Sequence, residues 1–80
     1  MQYPIYTKTK RGYIEYSKHI SECECVTVVP EKMSITVESY PNSAKATVAI
    51  EKLGMGASVR CTSEEFDTAM SLTLGKISAL

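Results

Sequence analysis

The segment from Thr62 to Leu80 constrains the fold more than any other stretch, because it alone carries long helical spacing. Phe66, Ala69, Met70, Thr73, Leu74, Ile77 and Leu80 recur every three or four positions, which lines them along one stripe of a helix. Thr62 followed three residues later by Glu65 forms a capping box, in which hydroxyl and carboxylate each satisfy a backbone N–H left open by the first turn. Cys61 and Phe66 flank that start at the spacing of a hydrophobic staple. Glu64, Glu65 and Asp67 near the start and Lys76 near the end suit the helix dipole. Gly75 costs roughly 1 kcal/mol relative to alanine in a helix interior. The pattern therefore admits a stop at Leu74, with Gly75 in the left-handed position after the cap, or continuation to Ala79. Leu72 points off the main stripe either way.

Everything before this helix alternates like strands. Tyr3 to Thr9 is rich in residues that favour extended backbone, with Pro4 tolerable at a strand start or on an edge. Lys10-Arg11-Gly12 is a basic turn in which Gly12 supplies a positive φ. A second strand runs from Tyr13 to about Ser17, with Ile14 and Tyr16 on one face. Residues 18–29 are less regular: Cys23 and Cys25 alternate inward against outward Glu22 and Glu24, and then Val26, Val28 and Val29 break the alternation. Either a bulge near Cys25 to Thr27 or burial on both faces accommodates that break. Met33, Ile35 and Val37 alternate with Ser34, Thr36 and Glu38, the signature of one buried and one wet face. After a Pro41-Asn42-Ser43 turn, Lys45 to Leu53 alternates again, and Ala57, Val59 and Cys61 lead into the helix.

Short connections favour neighbour-to-neighbour pairing. The expected fold is α+β: an antiparallel β-meander of four to five strands with one C-terminal α-helix packed across one face. It forms a single domain, 1–80, strand-rich over 1–61 and helical over 62–79. Phe66, Met70, Leu74 and Ile77 are expected to cover the apolar face. Ser34, Thr36, Glu38, Thr47, Glu51 and Arg60 are expected to face water.

Composition narrows the class. An apolar fraction of 44% and a charged fraction of 22% suit a folded chain rather than a disordered one. No apolar run approaches the ~18 residues of a membrane span, and the first residues lack a basic start and apolar block. Three closely spaced cysteines make no disulfide framework. A cytoplasmic location is expected. Small accessory proteins of phages and mobile elements share this size and composition.

No residue set reads as catalytic, cofactor-binding or metal-binding, and no small-molecule substrate is implied. His19, Cys23, Cys25 and Cys61 have zinc-ligand chemistry but not the usual ligand spacing; the cysteines read as small buried hydrophobes. His19, the only histidine, reads as a surface residue beside Lys18. Gly54-Met55-Gly56 links strands instead of opening a helix, so it is no phosphate cradle.

Two contact functions remain. The first is a non-enzymatic protein-interaction or self-associating module, a homodimer or an adaptor to another protein. Its candidate surface residues are Tyr40, Met55 and Leu72, apolar side chains without an obvious place in a monomer core. A sheet with exposed edges and a thin core gains burial from a partner. The alternative is single-stranded nucleic-acid binding through Tyr6, Lys8, Lys10, Arg11, Tyr13 and Lys18 of the N-terminal hairpin, where rings stack bases and cations follow phosphates. Residues 1–20 carry a net charge of +3 and the remainder −3, so the chain as a whole is neutral and lacks the footprint of a dedicated nucleic-acid binder.

Overall fold

The computed structural model describes residues 2–10, 12–21, 23–39 and 58–80. Five strands form one antiparallel sheet: β1 (Ile5–Lys10), β2 (Ile14–His19), β3 (Glu24–Val29), β4 (Ser34–Ser39) and β5 (Ser58–Arg60). Their spatial order is β4-β3-β2-β1-β5. The first four strands make the expected meander, and β5 joins the far side of β1, pairing Lys8 with Val59. One helix, α1 (Ser63–Ser78), follows and packs on one face. The strand expected over Lys45 to Leu53 lies outside the described residues.

Local chemistry explains the boundaries. Pro4 sits just before β1, where its missing N–H disturbs no ladder bond. Gly12 takes φ +78° in the β1–β2 turn, a conformation that costs a residue without Cβ little. Pro30 opens a single 3₁₀ turn, Pro30–Lys32, which ends β3. Met33 closes that turn in the left-handed region at φ 50°, its N–H donating to the Pro30 carbonyl. Met33 is thus a half-exposed turn residue, not the first inward residue of β4. At the helix start the Thr62 hydroxyl accepts from the Glu65 N–H at 3.1 Å, while the Glu65 carboxylate reaches back to the Thr62 N–H. The helix continues through Gly75 to Ser78.

Cross-strand register decides which side chains share a face. Tyr6, Lys18, Val26 and Val37 form one row under the helix side, and Lys8, Tyr16, Val28 and Ile35 form the next. Phe66 and Ala69 close over Val28, with Tyr6, Tyr16, Val26, Ile35 and Met70 packed around them. Thr73 is fully buried, and its hydroxyl donates to the Ala69 carbonyl at 2.8 Å, so no polar atom is left unsatisfied there.

Three expectations are corrected. Leu74 and Ile77 do not complete the core: they stay 50% and 40% exposed, because small Ala69 and Thr73 form the contact line and the helix settles on them. Val37 is 74% exposed, since β4 is the strand farthest from where α1 starts. The opposite sheet face is not simply wet. Thr36 and Arg60 are exposed there, but Ile5, Thr7, His19, Cys25 and Val29 on the same side are buried. No bulge interrupts β3, whose register with β2 and β4 is continuous. Its broken alternation reflects burial on both faces, Val28 on one and Cys25 and Val29 on the other.

Phe66→Ala is expected to cost about 3–5 kcal/mol, much of the ~4–12 kcal/mol available to a chain of this length. Leu74→Ala should cost under about 1 kcal/mol, because its side chain is half in water. Gly75→Ala meets no atom within 4 Å and should add about 0.5–1 kcal/mol. Urea midpoints for the three variants check this ranking.

Candidate interaction surface

An open concavity lies along one flank of α1. Every third or fourth residue of that flank (Glu65, Thr68, Ala69, Leu72, Lys76) faces the β1–β2 hairpin and the 3₁₀ turn. The result is an open groove of about 330 Å³ lined by Tyr16, Pro30, Glu64, Glu65, Thr68, Ala69 and Leu72. A second depression of about 210 Å³ shares Tyr16, Pro30 and Leu72 and adds Ile14, Glu31 and Lys76. The two form one trough beside the helix, from Glu64 at its first turn to Lys76 at its last. Tyr16, Pro30, Ala69 and Ile14 make its floor apolar. Leu72, 52% exposed, lines both halves.

Polar contacts hold the trough's ends. Lys8 Nζ meets Glu65 Oε2 at 2.8 Å, joining β1 to the helix start. That pairing raises the lysine above its ordinary pKa and lowers the carboxylate below its own. Lys76 Nζ donates to the Pro30 carbonyl at 3.3 Å at the other end. Lys32 lies 4.0 Å from the Tyr13 ring centroid beside it, a cation–π contact.

Of the surface residues anticipated from sequence, Leu72 takes its place in this trough, while Tyr40 and Met55 lie outside the described residues. The hairpin set is dispersed over several tasks. Tyr6 lies against Phe66, ring centroids 5.7 Å apart, under the helix. Lys18 sits 5.9 Å from the Tyr6 ring centroid. Lys8 is bound to Glu65, Tyr13 underlies Lys32, Lys10 is exposed at the end of β1, and Arg11 lies outside the described residues. Tyr6, Lys8, Lys10 and Lys18 share the helix-covered face, so they do not line an open sheet surface.

Sequence reasoning missed the trough itself, because it depends on how closely α1 settles. It also misplaced His19, which is buried on the second face. Its Nε2 is 3.2 Å from the Thr7 hydroxyl, and its Nδ1 has no partner among the described residues. Cys25 stands across from it in register, with Glu38 next along the row. The alternation of Glu15, Ser17 and His19 against Ile14, Tyr16 and Lys18 assigns His19 to that face; only the second face's burial was hidden. Burial pushes the Cys25 thiol up and the His19 imidazole down, so both are held neutral. A neutral buried thiol is a poor nucleophile. Among the described residues no group of three or more His, Cys, Asp or Glu side chains comes together to hold a metal ion. Within the same residues, no helix is long and apolar enough to cross a membrane.

The lowered imidazole pKa has a stability consequence of definite sign. Below the ordinary histidine value of 6.5 the unfolded chain takes up a proton that the folded chain still refuses. Stability is therefore fully present above that value and falls as pH drops below it. Urea midpoints measured from pH 7.5 to 5.5 should decline for the native chain, and His19→Gln should flatten that decline. Comparisons with protein-family models, with curated proteins and with solved structures found no match.

Proposed function

We propose that this chain is a small non-enzymatic module that works by contact, associating with itself or with another protein through the flank of α1. The observation carrying this reading is Leu72, half exposed at the centre of a trough whose floor is apolar. Burying a leucine fully is worth roughly 1.5–3 kcal/mol relative to leaving it exposed, and the monomer forgoes much of that. Leu72 is the exposed large apolar side chain that lines both halves of the trough, and such a side chain left open beside an apolar floor favours a contact role.

Single-stranded nucleic-acid binding through the hairpin is less well supported. Stacking needs ring faces open to solvent, whereas Tyr6 faces Phe66 and Tyr13 carries Lys32. Lys8 already has a counter-charge in Glu65.

Light scattering over a concentration series is the direct test. The mass should rise from the 8.8 kDa monomer with concentration, or stay there until a protein partner is added. Anisotropy with a labelled single-stranded oligonucleotide is expected to show no binding at low salt. Binding there that weakens steeply with added salt would favour the nucleic-acid reading instead.

A further inference from the structure

Resting on the contact reading above, we infer that the occupant of the trough is α1 of a second copy of this chain, laid antiparallel to form a two-fold dimer. The argument is charge complementarity along the trough. At the end nearest the helix start, the charge opposed to Glu64 and Glu65 among the described residues is Lys8, leaving one net negative charge. At the other end, Lys76 and Lys32 are opposed by Glu31, leaving one net positive charge. A two-fold contact must bring the same patch together on both partners, each residue meeting its counterpart's counterpart. An acidic end, a central leucine and a basic end satisfy that condition when one copy is reversed.

Register follows from the same logic. Glu64 and Lys76 are twelve residues apart, about 18 Å along a helix. Setting Glu64 of one copy beside Lys76 of the other, twice by symmetry, places Thr68 opposite Leu72, again twice. Each leucine then lies over the partner's trough, against its Tyr16 and Pro30 floor. Glu64 is exposed and has no ion pair among the described residues, so its carboxylate is available for this contact. Outward-facing Gly75 has no atom within 4 Å of where a Cβ would stand, so it raises no obstacle to a second helix.

The test is charge reversal with rescue, read by sedimentation equilibrium over a concentration range. Glu64→Lys alone and Lys76→Glu alone each create two like-charge contacts per dimer and should weaken association roughly tenfold or more. Glu64→Lys combined with Lys76→Glu should restore it to within a few-fold, because the swapped charges again meet opposites. Leu72→Asp should leave a monomer. All three positions, Glu64, Leu72 and Lys76, are exposed, and circular dichroism with a urea melt at low concentration verifies that each variant folds. If the native chain dimerises but is indifferent to Leu72→Asp, or the double variant stays as weak as the singles, this arrangement is overturned while self-association stands. A native chain that remains monomeric at every concentration also overturns it. Only failure to find a protein partner as well would remove the contact reading.

Discussion

The architecture depends on a narrow line of contact between one helix and the middle of the sheet. Phe66 inserts beside Tyr6 and packs with Ala69 over Val28, and Thr73, one turn on, is fully buried. Two small residues at the contact let the helix sit low, which improves dispersion contacts where they occur. The same closeness narrows the strip that is covered. Polar ties at both ends fix the helix's direction, Lys8 to Glu65 at its start and Lys76 to the Pro30 carbonyl near its finish. Between them α1 crosses from β1 to the end of β3.

A low-lying helix on a five-stranded sheet leaves apolar side chains over on both flanks. Leu72 falls on the hairpin side; Leu74 and Ile77 stay half exposed toward the helix end, and Val37 is uncovered on β4. Larger residues at 69 and 73 would lift the helix and bring other side chains into reach, but they would open the contact with Val28. The monomer thus trades width of cover for closeness at the centre. The central strands offset part of this by burying residues on their second face as well, where Ile5, Cys25 and Val29 are out of water. On that face Thr7 pairs with His19 Nε2 and Ser17 with Thr27, while His19 Nδ1 is buried with no partner among the described residues.

How much of this was legible in the sequence depended on whether the signal was local. The helix start was readable because Thr62 and Glu65 act on backbone groups within one turn. The β1–β2 turn was readable because Gly12 answers a purely local demand on φ. The parity of Ile14 and Tyr16, and of Cys25 against Glu24, followed from the two-residue repeat of an extended chain. What failed was everything set by distance in space. The stripe Phe66–Met70–Leu74–Ile77 has correct periodicity, yet periodicity cannot say that the helix will rest on Ala69 and Thr73. Val37 has the right alternation, yet only the strand order shows that it lies far from cover. His19 looked exposed because its neighbour is a lysine, whereas adjacent strand residues necessarily face opposite ways. The trough beside Leu72 is a shape between elements and has no signature in any one of them.

The uneven charge of the chain is best understood through the same geometry. A basic amino-terminal quarter and an acidic remainder suggest, in one dimension, a surface waiting for a polyanion. In three dimensions the sheet brings β1 beside the first turn of α1, where capping chemistry had already gathered carboxylates. Lys8 finds Glu65 there, and the pair serves at once as an ion pair, a cap and a tie between layers. Lys18 and Lys32 lie over tyrosine rings of the same hairpin, their aliphatic stems able to cover ring edges while the ammonium stays wet. Much of the asymmetry thus reflects complementarity between parts of one fold. The charges not matched in this way, Glu64 at one end of the trough and Lys76 at the other, are the ones that the proposed reversed copy of the same helix would meet with opposite sign.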